Sequence, residues 1–505
     1  MSKIKIAIIG CGAASVAFIR SLIDESKFNN FNHYKLTIFE PALDLGVGLA
    51  YQDDLSNLII NRPLQTSSVH CSNLNEFYYW LKEKPNILKN MVVESNEHDD
   101  QRSYISRKIF GHYLKDIFEM TLSEASSCNI EVEIVRKKVT KIHSINPFII
   151  EAAKKEIFIT NYVVLCTGNN EPADIYGLVD TPRYINSPYP LELRVQPIDF
   201  KQNIGIIGNS LTAIDIAISL YILGHTGIIN MLSRRHVHPR VRGKISDHNL
   251  EFFTLNSIIA TKIQKGKFSL RDALRLLRKE LQKIGFSWKP LLVENDKQKH
   301  LTQILKEEIE AAKTERKWQT LLSSTNQLIE ECWYALDNKS KSIFMKYYQR
   351  IWINNRSPIP LKNAEILLEM AENNLLYSTA GLQDIKYINK LDKYTASSKS
   401  GQQLEFDWII NATGPSRHIE PKNTLLYNLI EDGYGRENSF GGLEVDFETS
   451  SLLNKAGEIN PHIRAIGHNT IGVHFYTSSL EMIAKRAKKI SKNLIEFMIK
   501  EALDG

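Results

Sequence analysis

At 505 residues the chain is long enough for roughly two or three domains with sizeable cores. Its 43% hydrophobic and 24% charged content is ordinary for a globular protein, and a net charge of +6 over this length is too slight to point to nucleic acid. No run of about 18 or more apolar residues suggests membrane insertion, and the N-terminus lacks a secretory pattern. The five cysteines, Cys11, Cys71, Cys128, Cys166 and Cys332, form no CxxC pair. That argues against a disulfide framework, a zinc site or a dithiol redox centre, and for a reduced, cytoplasmic protein.

The first predicted element is the apolar run Ile4–Ile9, suited to a parallel strand buried on both faces. Gly10, Gly12 and Ser15 follow at the three small-residue positions of a dinucleotide fingerprint. Gly10 permits the turn, Gly12 admits a pyrophosphate, and Ser15 keeps the next helix close to the strand. That helix, from about Ala13, points unpaired N–H groups at the phosphates. The second apolar run, KLTIFE, ends in Glu40, about 25 residues after the turn, where an acid bonds ribose hydroxyls. Further on, NYVVLCTGN reads as a strand ending in the turn Thr167-Gly168.

A second fingerprint starts near Asn203. Ile204–Ile207 is again apolar and Gly208 opens the turn, but Ser210 and Ala213 stand at the later positions. Ser210 is expected to crowd a pyrophosphate. The following strand, IINML, ends in Ser233-Arg234-Arg235 rather than in an acid. Arginine grips a 2′-phosphate where a carboxylate repels it, so NADPH is favoured over NADH. His225, His236 and His238 belong to this second unit and read as surface or phosphate-facing groups rather than metal ligands.

Residues of about 245–345 read as a helical insertion. SLRDALRLLRKELQKIG has apolar residues at helical spacing, with Ser269 and Asp272 suited to its first turn, and HLTQILKEEIEAAKTERKWQTLL reads similarly. Trp318, Trp333, Tyr347, Tyr348 and Trp352 are expected in its core. DWIINATGP then gives another strand with a turn at Thr413-Gly414-Pro415. The last segment reads as strand, turn at Gly467 and helix, with Thr477 or Ser478 as the helix cap.

These segments together resemble the flavoproteins with two dinucleotide-binding domains that are related to class B flavin monooxygenases. More closely they resemble a bacterial FAD/NAD(P)-binding family that includes flavin-dependent aspartate N-hydroxylases. The resemblance is carried by EPALDLGVGLAYQ from Glu40, LIINRPLQTSSVH from Leu58, RKIFGHYL from Arg107, SLTAIDIAISLYILGHTGIINMLSRRHVHPRV, IWINNRSPIP from Ile351 and FDWIINATGP. Three departures stand out. Ser210 replaces a glycine, Asn355 stands where a histidine is common, and HFYTSSLEMIAKRA lacks the tryptophan of many relatives.

The expected architecture is α/β, with two Rossmann-like dinucleotide-binding domains for FAD and NADPH and a helical insertion. The first part of the FAD domain is expected at 1–199, the NAD(P)H domain at 200–411 and the second part of the FAD domain at 412–505. The cofactor contacts expected are Gly10, Gly12, Ser15, Glu40, Gly48, Gly168, Gly208, Ser210, Ser233, Arg234, Arg235, Gly414 and Gly467. The resemblance implies an FAD-dependent, NADPH-consuming monooxygenase that N-hydroxylates a small amino acid or similar amine with O2. Arg62, Arg107, Arg350 and Arg356 lie in the family-like segments and are candidates for the substrate carboxylate. An NAD(P)H-dependent flavin reductase with a quinone or protein acceptor is the second enzyme class open to such a chain. An FAD-stabilised interaction protein without catalysis is a third. No nucleic-acid partner is expected, and the oligomeric state is left open.

Overall fold

The computed structural model describes the chain except residues 1–2, 62–63, 65–66, 90–103, 146, 245–247, 293–298 and 505. The chain divides into two compact units, one of Met1–Asn170 with Ser416–Gly505 and the other of Glu171–Pro415. The breaks fall just after the turns at Gly168 and Gly414, not at 199/200 and 411/412. The reason is backbone pairing: the two-residue strand Tyr184–Ile185 bonds in parallel to Trp408–Asn411, which holds the segment before residue 200 in the second unit.

In the first unit a six-stranded sheet runs in the order Ser451–Leu453, Ile459–Ala465, Tyr162–Leu165, Ile4–Ile9, Tyr34–Phe39, Glu131–Val135. All neighbours are parallel except the first pair. Ile6–Ile9 of this strand are apolar and buried because both faces are covered there, while Lys5 near its start is exposed. Ile6 and Ile8 enter one core with the helices Ala13–Asn29, Arg107–Ser127 and Leu480–Asp504. Ala7 and Ile9 point the other way, into a core with the antiparallel strands Val139–Ile145 and Phe148–Ala152 and the helix Thr424–Glu431.

The second unit repeats the plan. Its five-stranded parallel sheet runs Leu376–Ala380, Ile229–Ser233, Ile204–Ile207, Trp408–Asn411, Tyr184–Ile185. In each unit the third parallel strand counted from the fingerprint strand leads into a three-stranded antiparallel sheet, and the chain returns from it as a strand beside the fingerprint strand. In the first unit Glu131–Val135 leads through residues 139–160 to Tyr162–Leu165; in the second Leu376–Ala380 leads through residues 382–406 to Trp408–Asn411. The chain therefore has two Rossmann-like domains.

The helical part lies between the strands Ile229–Ser233 and Leu376–Ala380 of the second unit. The helix Leu270–Lys283 starts where the sequence indicates: Ser269 and Asp272 form a reciprocal capping box. The segment from His300 does not make one helix. It breaks into Leu301–Ala312 and Lys317–Ser324, because buried Arg316 turns its guanidinium back to the Ala311 and Val241 carbonyls and to Glu308. Trp318 stacks on Phe286 and Trp333 meets Phe344 edge-on, as core aromatics do, whereas Tyr347 is exposed and Tyr348 and Trp352 are only partly buried. Among the described residues no helix is long and apolar enough to cross a membrane.

Candidate functional site

Each unit carries a crevice at the carboxyl ends of its strands, between the first strand and the returning one. This is where strand order reverses and where nucleotides bind in such sheets. In the first unit the turn after Ile9 is forced on glycine. Gly10 has φ +96°, and a Cβ there would lie 2.3 Å from the Cys166 carbonyl oxygen. Gly208 is its counterpart, with φ +122° and a built Cβ 2.8 Å from the Ala412 oxygen. The turns before Gly168 and Gly414 thus wall the two crevices.

Around the first crevice the expected residues converge. Gly12 caps the helix Ala13–Asn29, whose first turn carries no acid to compete with a phosphate. The Cα of Gly48 packs against Gly12, so a Cβ on Gly48 would lie 3.2 Å from the Gly12 Cα. The backbone thus comes close at the point where a pyrophosphate needs room. Ser15 is fully buried, and its Oγ has no protein partner. Glu40 ends the second strand and accepts from the Cys11 N–H at 2.8 Å and the Ala42 N–H at 3.0 Å. It therefore fastens the fingerprint turn while keeping lone pairs for further donors. Gly467 faces the start of the first helix, 3.9 Å from Ala14 by its built Cβ. The glycine cradle and the orphaned buried hydroxyl fit a dinucleotide such as FAD.

Sequence reasoning missed Asn469, which reaches the turn walling this crevice from the C-terminal segment. Asn469 donates to Thr167 Oγ1, while its buried Oδ1 has no protein partner. Phe475 sits at φ +60°, uncommon for a bulky side chain. The last helix begins at Leu480, and the Ile483 N–H bonds the Ser479 carbonyl, so the cap position is Ser479 rather than Thr477 or Ser478.

In the second crevice Ser210 has φ −98° and ψ −166°, nearly the Gly12 values of −103° and −168°. This is extended backbone that any residue adopts, so the lost glycine costs no conformational strain. The Ser210 side chain makes no capping bond, and the helix Leu211–Ile222 has no acid in its first turn. Ser233 Oγ donates to the Arg235 carbonyl at 2.8 Å and holds the strand-end turn. Arg234 is exposed and Arg235 is partly buried. Asn209, at a variable position of the fingerprint that gave no sequence signal, donates to the Val237 carbonyl at 2.7 Å and accepts from Arg350. His225, His236 and His238 do not lie at the surface as expected but are buried, and the rings of His236 and His238 pack edge-on, 5.4 Å apart. Burial, with His236 and Arg350 nearby, holds His238 down to about 3, so it is neutral. Among the described residues no group of His, Cys, Asp or Glu is arranged to hold a metal ion.

The four candidate substrate arginines fare differently. Arg62 lies outside the described residues. Arg107 opens its helix in the first unit and donates to the Ile59 carbonyl at 3.2 Å. Arg350 and Arg356 share the helix Gln349–Arg356, yet Arg350 reaches Asn209 while Arg356 is buried against the Leu322 carbonyl at 3.0 Å and over the Trp352 ring. Asn355 donates to the Leu291 and Ile351 carbonyls and is buried in the helical part.

Residues 7–170 match the protein-family model described as FAD-NAD(P)-binding. Among curated protein sequences none matches the chain. Among solved structures the chain is similar to L-lysine 6-monooxygenase from Pseudomonas syringae, with a TM-score of 0.60 and 13% identity over 98% of this chain and 99% of that one. It is also similar to the ornithine N-hydroxylase of Kutzneria sp. 744, in a structure with reduced FAD, NADP+ and L-ornithine. Here the TM-score is 0.58 and the identity 13%, over 98% of this chain and all of that one. The FAD-bound cadaverine monooxygenase of Erwinia amylovora aligns with a TM-score of 0.53 and 12% identity, over 97% and 94% of the two chains. At such identities the likeness is one of fold.

Proposed function

We propose that this protein is an FAD-dependent, NADPH-consuming monooxygenase that N-hydroxylates the amine of a small amino acid or a similar amine. The observation that carries the reading is the duplicated crevice. One unit has a glycine turn with an acid after its second strand, and the other has a glycine turn of like backbone, with Ser210 for the second glycine, and arginines there. The neighbours in fold whose printed names give ornithine, lysine and cadaverine as substrates support the amine. When bound, the flavin supplies O2 activation and transfer of one oxygen atom to a nucleophile, with NADPH as reductant.

The chain's own residues bind, orient and select. Gly10, Gly12 and Gly48 leave room for a pyrophosphate, Ser15 and Asn469 offer buried polar atoms to the flavin nucleotide, and Glu40 accepts from its ribose. Gly208, Asn209 and Ser210 form the turn for the nicotinamide nucleotide, with Arg234 and Arg235 for its 2′-phosphate. An amine attacks only when unprotonated, so the substrate site must disfavour the ammonium form. Arg107, which opens its helix in the first unit, is the candidate for a substrate carboxylate there. The free cysteines accord with a cytoplasmic location.

The test is to purify the full chain, measure its flavin content and follow NADPH oxidation in air with ornithine, lysine, cadaverine and aspartate in turn. A hydroxylamine product coupled to NADPH consumption is the expected result. Turnover only with a quinone acceptor would make the protein a reductase, and failure to bind flavin would overturn both enzyme readings.

A further inference from the structure

One short stretch of the helical part of the second unit meets the second fingerprint turn. A single π-helical turn, Phe344–Tyr348, runs directly into the helix Gln349–Arg356. Such turns interrupt helices at a cost and cluster at functional sites. Two contacts tie this stretch to the nucleotide turn. Arg350 donates to the Asn209 Oδ1 inside the fingerprint, and Arg235 donates to the Lys346 carbonyl at 3.5 Å. Asn209 in turn donates to Ser233 Oγ at 3.4 Å and so reaches the end of the second strand.

The electrostatics are one-sided. Burial pushes the Arg350 guanidinium below its ordinary value, and Arg234 and Arg235 push it the same way. Its buried Nε has no protein partner. Among the described residues no carboxylate pairs with Arg234, Arg235 or Arg350. Three guanidinium groups gathered without a counter-charge disfavour one another, and a phosphate dianion relieves that cost. A ribose carrying only hydroxyls does not.

We infer that Arg350 is the third cation of a 2′-phosphate site, joining Arg234 and Arg235 from outside the Rossmann strand and held in place by Asn209. It thereby serves as a determinant of NADPH over NADH rather than as a ligand of the substrate carboxylate. This rests on the reading of the second unit as a nicotinamide-nucleotide site.

Equilibrium titration of the flavin-loaded, full-length protein with NADP+ and with NAD+ tests it without turnover. Arg350→Gln is expected to weaken NADP+ binding by about tenfold or more and NAD+ binding by less than about twofold. Arg350→Lys should recover part of the loss. Asn209→Ala, which frees Arg350 from the turn, should weaken NADP+ selectively and serves if the Gln variant does not fold. Equal weakening of both nucleotides, or no weakening of either, would overturn the inference while leaving the nucleotide site standing. Wild-type protein that binds neither nucleotide would overturn the reading of the second unit itself.

Discussion

Gly10 is fixed by two independent constraints, a left-handed φ and the Cys166 carbonyl 2.3 Å from where a Cβ would sit. The contact is to backbone, which a side-chain rotation cannot relieve. Gly10→Ala is therefore expected to lose most of its bound flavin and about 1–3 kcal/mol of stability, read by flavin absorbance and thermal unfolding. Ser210 is the opposite case. Its backbone is already that of Gly12, and Ser and Gly are both tolerated at a helix N-cap with a difference of a few tenths of a kcal/mol. Ser210→Gly should leave stability nearly unchanged and nicotinamide-nucleotide affinity within about threefold, measured by the same titration. A glycine missing from a fingerprint is thus informative only where the turn needs a positive φ. The fingerprint assigns the two positions different tasks, but how much strain a side chain meets at each is set by a dihedral angle.

At the scale of elements, the helix Leu270–Lys283 offers a test of capping. Burial opposes ionisation of Asp272, yet hydrogen bonds from Lys265 and Ser269 hold its carboxyl down to about 2. A depressed carboxyl stabilises the fold above its unfolded value of about 3.9, and that contribution fades as pH falls toward 2. Asp272→Asn should flatten the loss of helical signal between about pH 4 and pH 2, and Ser269→Ala should cost about 1 kcal/mol at neutral pH. Circular dichroism against pH measures both.

This cap was legible because its residues are adjacent in sequence. So were the strands Ile4–Ile9 and Ile204–Ile207, which are short apolar runs before a glycine. The strand Tyr184–Ile185 was not, since two residues carry no periodicity and its partner lies more than 200 positions away. The break at Arg316 was also hidden, because it rests on how one buried guanidinium is bonded, in part to the Val241 carbonyl 75 positions earlier, and no residue pattern announces that. The role of Arg350 depends on Asn209, 141 positions earlier, and no spacing rule links them.

At the scale of the whole molecule, each unit buries histidines that must stay neutral. In the first unit, burial lowers His468 and His474, helped by Arg417 for the former and by Arg486 and Lys489 for the latter. In the second, burial lowers His225, and it lowers His238 with added repulsion from His236 and Arg350. The unfolded chain protonates all of them near pH 6.5, while the folded chain does so only at lower pH. Below about pH 6.5 the unfolded state therefore binds more protons, and stability falls with pH at roughly 1.4 kcal/mol per unit for each histidine fully in this window. Because both units contribute, unfolding temperature should drop steeply from pH 7 to pH 5 for every calorimetric transition, not for one alone. His474 sits 3.2 Å from Ser450 Oγ, so His474→Gln keeps a polar partner and removes one titrating site. That variant should lose part of the acid sensitivity of the first unit and leave that of the second unchanged. Calorimetry of wild type and variant across this range decides it; an unfolding temperature that does not move between pH 7 and pH 5 would mean that the buried imidazoles are charged in the fold.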